Sequence, residues 1–441
     1  MKTQQSLGTL SLMLITVGSV DSIRNLPAAA LSGDSILLYF FVALTCFLLP
    51  TAVISIWFAN RHQDGIYGWV TVGLGARKGF LAVWFQWMQN ILIYPTLFSF
   101  IAGVSVFTLA PQLAENKYAL FLIINALIWF LTWVNIKGIY LSARLNTFCT
   151  IIGLIIPFLM ILAMGIYSVL SGYHHEGWQA SGGGHGGWSS LTAIILSLCG
   201  VEIAGVHSRE STAGAFTKAI ILAVPVIFLT MLFGTLTIHR LIASEQLSLV
   251  NGIAQVVAIF FSKIHGQQFA GLFNLLIVIG CIGCANNWLI APVKGLLFSM
   301  SHADKGERLL TQSPEKLLLI QAGCVSLLST LFLLLPAINA SYWLMLVLAT
   351  QMYLLMYSLM FISAIRLQLS GKQPVQPMIL FFSVLGLLTV IVLMLVSFEP
   401  PSLIDSGSRL HYGLLMGLFL LFLSFASYWG REKWLNKRPI L

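Results

Sequence analysis

The sequence predicts an all-α polytopic membrane protein, and three observations support this prediction. Only 8% of the 441 residues are Asp, Glu, Lys or Arg, whereas a soluble domain has roughly 25%. Hydrophobic residues make up 58% of the chain, and the mean hydropathy is +0.91. The apolar residues also fall into long runs that short polar segments separate. Such a chain cannot cover a surface that faces water, which excludes soluble, disordered and disulfide-rich secreted proteins.

Twelve of the apolar runs are long enough to cross a lipid bilayer, which requires about 20 residues in a helix. We therefore predict 12 transmembrane helices, at about 8–33, 36–59, 79–110, 118–136, 146–170, 189–207, 218–238, 267–300, 317–336, 341–366, 377–397 and 410–429. The connections between these runs are too short for a soluble domain. We expect residues 1–441 to form a single transmembrane domain.

The positive charges predict how this domain is oriented. With alternate loops assigned to opposite sides, 18 of the 23 Lys and Arg residues fall on the side of the N-terminus and four on the other. Arg24 falls inside the first span. Because positive loops stay in the cytoplasm, both termini are predicted to be cytoplasmic, and a bacterial inner membrane is the expected location. The basic residues are scattered over many loops, so we expect no binding to nucleic acid.

The cysteines and histidines predict neither a metal site nor a cofactor. Cys281 and Cys284 form a C-x-x-C pattern, but it lies in the middle of a span without a second pair, so helix packing is the favoured interpretation. The loop 171–188 holds three histidines that could sense pH or bind a metal. Their glycine-rich surroundings fix no geometry, and a flexible linker is favoured instead.

The first span carries polar residues that a continuous, lipid-facing helix would not tolerate. An interrupted helix whose open backbone faces a cavity would tolerate them. We take the following residues of this span as candidates for substrate binding: Gly18, Ser19, Asp21, Ser22 and Arg24.

The sixth span has a comparable interruption, because an acid stands between glycines in an apolar stretch. Its candidates for substrate binding are Cys199, Gly200, Glu202 and Gly205. If Glu202 is buried, it could carry a coupled proton. Weaker candidates in other spans are Tyr94, beside a proline in span three, and Asn287 in span eight, for which hydrogen bonding between helices is equally plausible.

The two interrupted spans occupy corresponding places in two groups of five spans. We therefore predict a five-plus-five inverted repeat with discontinuous helices 1 and 6. Repeat one covers about 8–170, repeat two about 189–366, and two peripheral helices lie at about 377–429. Paired broken helices of this kind mark the central site of a transporter. Their ends offer N–H groups to a carboxylate and carbonyl groups to an amine, the two groups of an α-amino acid.

Asp21 and Arg24 leave two interpretations open. Three residues apart, they share a helix face if that turn is helical, and they would then neutralise each other as a structural pair. Alternatively, at least one of them contacts the substrate or gates the site. Arg24 would suit a second carboxylate, and Asp21 a cationic side chain. We therefore take Asp21, Arg24 and Glu202 as the candidates for coupling or gating.

Four stretches of the chain have a familiar pattern. Gly200-Val201-Glu202 is followed by further polar residues, and Trp288 precedes a proline, a basic residue and a glycine in span eight. A Gly-aromatic-x-Trp segment around Trp69 follows span two, and the first span ends in Pro27. With these motifs, the chain resembles the amino acid–polyamine–organocation transporter superfamily, and within it the bacterial glutamate:GABA antiporter-like permeases.

The resemblance implies a fold and a substrate position. The fold would be the five-plus-five inverted repeat with two peripheral helices. The substrate would lie between spans 1, 3, 6, 8 and 10, against the unwound backbone at 18–22 and 199–205. Asp21 and Arg24 stand where the family usually has apolar or small residues.

The predicted function is secondary active transport of amino acids or close derivatives by alternating access, as an exchanger or coupled to protons. A major facilitator architecture is disfavoured, because Arg61-His62-Gln63-Asp64 does not match its Gly-x-x-x-Asp-Arg signature. An enzyme would need a nucleophile with a base, or a metal site, and the sequence offers neither. The remaining alternative is a substrate sensor or channel of the same fold, since broken helices also line pores.

Overall fold

The structure, a computed structural model, is almost entirely helical. It describes residues 8–62, 64–114, 116–137, 149, 155–175, 187–212, 214–303, 314–335, 337–371, 374–399, 412–414 and 416–424, without the side chains of 206–210, 287, 290, 291, 294 and 298–303. The helices are α1 (Thr9–Val20), α2 (Leu26–Ala30), α3 (Gly33–Ala59), α4 (Gly65–Leu74), α5 (Ala76–Leu109), α6 (Lys117–Lys137), α7 (Ile156–Leu170), α8 (Leu191–Ser197), α9 (Ala215–Leu241), α10 (Gly252–Lys263), α11 (Gln267–Ala303), α12 (Glu315–Leu334), α13 (Ile338–Leu369), α14 (Pro377–Val396) and α15 (Tyr412–Ser424). A 3₁₀ helix, Val201–Glu210, lies between α8 and α9.

In the described part of the chain, nine helical segments are long and apolar enough to cross a membrane, and one of them, Trp188–Gly205, contains the interruption of span six. They coincide with predicted spans two to four and six to eleven. The first predicted span is broken after only 12 residues of α1. The fifth and twelfth spans include 146–148, 150–154 and 425–429, which lie outside the described residues. The prediction of a polytopic helical membrane protein is confirmed, whereas the full count of twelve spans is not.

Two connections that the sequence predicts as loops contain helices. α4 occupies much of the connection after span two, and α10 occupies part of 239–266. At 10 and 12 residues, these helices are only roughly 15–18 Å long, which is about half of the hydrocarbon thickness. A search for runs of 20 apolar residues therefore could not detect them.

The backbone is interrupted in spans one and six, as predicted. After α1, Asp21 and Ser22 are extended, with ψ angles of 116° and 114°, before a single 3₁₀ turn at 23–25 leads into α2. After α8, Gly200 has a φ of +114°, which an L side chain rarely adopts, and the 3₁₀ helix then begins. Each interruption leaves backbone groups without a partner in their own helix.

The interrupted segments lie beside two long, largely buried helices, α5 and α13. In their apolar stretches, 83% of the α5 residues and 78% of the α13 residues are buried, against 28% for α14. α5 packs along both α13 and α11, while α1 packs against α9 and the 3₁₀ helix. The centre of the protein is therefore built from α5 and α13 together with the broken spans.

Trp69 on α4 holds the 3₁₀ helix in place. Its ring stacks on Phe58, with centroids 5.7 Å apart, and its indole N–H donates to the His62 carbonyl at 2.8 Å. A Cβ placed on Gly205 would come within 2.7 Å of the Trp69 ring. Gly205 therefore allows the close packing of the 3₁₀ helix against α4.

We expect Gly205→Ala to destabilise the protein by about 1–3 kcal/mol, because Trp69 is held on two sides and cannot yield easily to an added methyl group. Thermal unfolding of the purified protein in detergent measures this effect. Gly323→Ala is the matched control, because a Cβ there meets no atom within 4 Å and alanine favours a helix. Equal melting temperatures for the two variants would contradict the packing role of Gly205.

Candidate functional site

A small, partly open cavity lined in part by polar residues lies between the two interruptions. Its walls come from α1, the extended segment after it, α5, α8, α11 and α13. Five of the residues predicted to bind substrate line this cavity, namely Ser19, Ser22, Arg24, Tyr94 and Cys199. Residues of spans 1, 3, 6, 8 and 10 thus surround a common space.

Arg24 presents a positive charge to this cavity. Its guanidinium Nη1 donates to Thr96 on α5 at 2.9 Å, and its backbone carbonyl accepts a hydrogen bond from Tyr342 at 3.3 Å. Among the described residues, no carboxylate forms an ion pair with Arg24. A partly buried cation without a counter-ion is costly, so the site is suited to an anionic group.

The C-x-x-C pattern lies on α11, and its second cysteine, Cys284, lines the cavity. No group of three or more metal-binding side chains is found in the described part of the chain.

Asp21 does not pair with Arg24. It is only 3% exposed, and its two carboxylate oxygens lie 2.9 and 2.8 Å from the hydroxyl of Thr230 on α9. Arg24 instead reaches α5. The structural pair, one of the two interpretations left open, required a helical turn, but residues 21 and 22 are extended, which separates the directions of the two side chains.

Glu202 is 1% exposed and is held by two tyrosines of α13. The Tyr353 hydroxyl donates to Oε1 at 2.9 Å, and the Tyr357 hydroxyl donates to Oε2 at 2.5 Å. The Tyr357 oxygen also accepts the N–H of Gly200 at 2.9 Å. This cluster fastens the interruption of span six to α13. Neither tyrosine was predicted from the sequence, although their four-residue spacing on one helix face was a usable signal.

Tyr94 is fully buried and replaces a backbone hydrogen bond that a proline removes. Its hydroxyl donates to the backbone carbonyl of Trp288 on α11 at 2.5 Å. In a regular helix this carbonyl would accept the N–H of residue 292, but that residue is Pro292 and has no N–H. Tyr94 thus joins α5 to α11 at the wall of the cavity.

Two amide side chains in the cavity wall were not predicted. Asn25 and Gln89 are each 4% exposed, and their side-chain carbonyl oxygens have no hydrogen-bond partner among the described residues. A buried polar group without a partner is costly, which makes these amides candidates for binding a ligand. The polar residues of span three, Gln86, Gln89 and Asn90, were the signal that could have revealed Gln89.

The remaining predicted residues lie around the cavity rather than in its wall. Gly18 is in the last part of α1, with open space where a Cβ would stand, and Gly200 forms the turn of the second interruption. Gly205 packs against Trp69. The side chain of Asn287 lies outside the described residues.

The fold and the cavity define a class of protein: a polytopic membrane protein with two discontinuous helices that meet at a buried polar site, as in secondary transporters. The profile of the amino acid permease family matches residues 7–421 of this chain. The chain belongs to that family, which is a family of transporters.

Individual relatives support this assignment. An uncharacterised transporter of Legionella pneumophila is 32% identical over 424 residues, which cover 91% of each chain. A glutamate/gamma-aminobutyrate antiporter of Lactococcus lactis subsp. lactis is 24% identical over 94% of this chain and 88% of its own length. An arginine/ornithine antiporter of Latilactobacillus sakei is 20% identical over 77% of this chain and 75% of its own. The prediction of an amino acid transporter is thus confirmed at the level of the family.

A solved structure shares the fold. The crystal structure of MhsT in complex with L-phenylalanine superposes with a TM-score of 0.57, at 15% sequence identity, and covers 89% of this chain and 99% of its own. At this identity the similarity concerns the fold alone.

We expect Tyr357→Phe to destabilise the protein by about 1–3 kcal/mol, because the lost hydroxyl serves both the Glu202 carboxylate and the Gly200 N–H. Thermal unfolding in detergent measures the change. Tyr342→Phe is the comparison, since its hydroxyl makes one long bond of 3.3 Å to a carbonyl, and it should cost less. An equal or smaller loss for Tyr357→Phe would show that its cluster does not hold the interruption.

Proposed function

We propose that this protein is a secondary active transporter that exchanges amino acids or close derivatives across a membrane by alternating access, with the substrate in the central cavity. The observation that carries the proposal is that both helix interruptions border one cavity, in a chain of the amino acid permease family. Open backbone groups and a few polar side chains beside a cavity suit a small zwitterion.

The backbone at the two interruptions would bind the groups that all α-amino acids share. Carbonyl groups at the ends of α1 and α8 carry partial negative charge and would bind the ammonium group. The N–H groups at the start of the 23–25 turn would bind the α-carboxylate. This arrangement leaves the side chain of the substrate facing Arg24 and the amides of Asn25 and Gln89.

Arg24 supports a preference for substrates with an acidic side chain. The curated relatives include a glutamate/gamma-aminobutyrate antiporter as well as an arginine/ornithine antiporter and an L-lysine transport protein. A guanidinium in the cavity attracts a second carboxylate and repels the side chains of arginine and lysine. Among these alternatives, an acidic substrate fits this chain best.

The orientation and location in the membrane are inferred from the distribution of positive charge and from the organisms of the relatives. The distribution of Lys and Arg favours cytoplasmic N- and C-termini, and the named relatives come from bacteria. We infer a bacterial inner membrane as the location. Exchange of substrates matches the antiporters among the relatives. We propose protons as a second coupled species.

Counterflow of labelled amino acids in proteoliposomes tests transport directly. Vesicles preloaded with unlabelled glutamate should accumulate labelled glutamate transiently, without any ion gradient. A thermal-shift screen against the twenty amino acids and common amines would show which ligands bind, because a ligand of the folded state stabilises it. Binding without counterflow would favour a sensor over a transporter.

We expect Arg24→Ala to reduce counterflow of acidic substrates by about 10- to 100-fold more than counterflow of neutral ones, because a charge-assisted hydrogen bond contributes about 1.5–3 kcal/mol. Arg24→Lys keeps the charge and should retain part of the acidic transport. Initial rates with labelled glutamate and glutamine measure the difference. Equal losses for both substrates would give Arg24 a structural role only.

A further inference from the structure

The two buried acids of the site stand at opposite ends of helical segments. Asp21 directly follows α1 and lies at its C-terminus, whereas Glu202 lies in the first turn of the 3₁₀ helix. A helix C-terminus carries a partial negative charge and its N-terminus a partial positive charge, each about half an elementary charge. The peptide dipoles therefore oppose a negative charge on Asp21 and favour one on Glu202.

The hydrogen bonds around the two acids also favour a negative charge on Glu202 over one on Asp21. Each carboxylate oxygen of Glu202 accepts a phenol O–H, and Tyr357 is further polarised by the Gly200 N–H. An ionised carboxylate can only accept hydrogen bonds, so this cluster suits a charged Glu202. Among the described residues, Asp21 has one neighbouring donor, the hydroxyl of Thr230, for both of its oxygens.

The hydroxyl proton of Thr230 has more than one possible acceptor nearby. Its oxygen lies 2.9 and 2.8 Å from the two Asp21 oxygens, 2.7 Å from the carbonyl of Val226 and 3.0 Å from that of Ile227. One hydroxyl proton cannot serve four acceptors. If Asp21 carries a proton, it can donate to Thr230, and Thr230 can donate to Val226. Protonation of Asp21 therefore supplies a hydrogen for its contact with Thr230. An ionised Asp21 would leave close oxygen–oxygen contacts without a bridging hydrogen.

No described side chain compensates a charge on Asp21. Arg24 on its own segment bonds to Thr96, and Glu202 on the 3₁₀ helix bonds to the tyrosines of α13. The other titratable residues on α9 lie roughly 13 Å or more from Thr230 along the helix, at 1.5 Å per residue. They are Lys218, His239 and Arg240.

We propose that Asp21 is a proton-binding site of this protein and that Glu202 remains charged, so that the proton coupled to transport is carried at the interruption of span one. The binding of the proton stands on the local geometry, while its coupling to transport rests on the proposed function. This assignment differs from the sequence-based expectation, which gave the proton to Glu202.

Proton binding at this position is linked to conformation. The neutral side chain bridges the interruption of span one to α9 through Thr230. Loss of the proton leaves an uncompensated charge between two helices, which favours states in which Asp21 reaches water or Arg24. Since Ser22 and Arg24 line the cavity, such a rearrangement would alter the substrate site. Proton release and substrate movement would then be coupled through the same segment.

Infrared difference spectroscopy of the purified protein, without substrate, tests the protonation itself. At neutral pH we expect a band from a protonated carboxyl group that is lost in Asp21→Asn and kept in Glu202→Gln. Asp34→Asn is the control, because this more exposed carboxylate contacts His239 at 3.5 Å outside the cavity wall. Persistence of the band in Asp21→Asn, or its loss in Glu202→Gln, would overturn the proposal.

The pH dependence of transport tests the coupling. We expect uptake by Asp21→Asn to lose its dependence on pH, and uptake by Glu202→Gln to keep it at whatever rate remains. Should Asp21→Asn fail to fold, Thr230→Val should shift the pH profile, whereas Thr230→Ser, which keeps the hydroxyl, should not. A wild-type pH profile in both Asp21→Asn and Thr230→Val would overturn the coupling. Absence of wild-type counterflow would instead refute the proposed function and leave the infrared result decisive for Asp21.

Discussion

The interruption of two membrane-spanning helices is the constraint on which the rest of the structure depends. Backbone groups released by an interruption cannot remain without partners in a low-dielectric interior. Tyr357 supplies a partner for the N–H of Gly200, and Tyr342 supplies one for the carbonyl of Arg24. Both tyrosines belong to α13, and the need for such partners explains why this long helix lies buried at the centre of the fold.

In this low-dielectric interior, each charged side chain has its own hydrogen-bond partner. Asp21, Arg24 and Glu202 lie close together in the fold, yet each bonds to a different helix: α9, α5 and α13, respectively. The contacts thereby tie both broken spans to unbroken ones. Because the three charges are not neutralised by one another, the substrate and the proton remain available as partners for two of them. The scarcity of charge in the chain thus has a functional meaning at these positions.

Much of the fold could be predicted from the sequence, because burial in lipid demands long apolar runs whose positions are visible along the chain. The ends of α6 and α14 agree with prediction within one residue. The short helices α4 and α10 escaped prediction, because they are stabilised by packing rather than by spanning the bilayer. The interruptions were predictable because polar residues within a span are costly in lipid and therefore mark a place where the helix opens towards a cavity.

By itself, the sequence determined that the protein lies in a membrane, where spans one and six break, and which charges stand at the breaks. These properties depend on composition and on near neighbours in the chain. Only the tertiary structure decided the partners. Asp21 meets Thr230 and Glu202 meets Tyr357 across separations of 209 and 155 residues. The extended backbone after α1 turns Asp21 away from Arg24. The periodicity of the sequence does not indicate which distant helix each side chain then contacts.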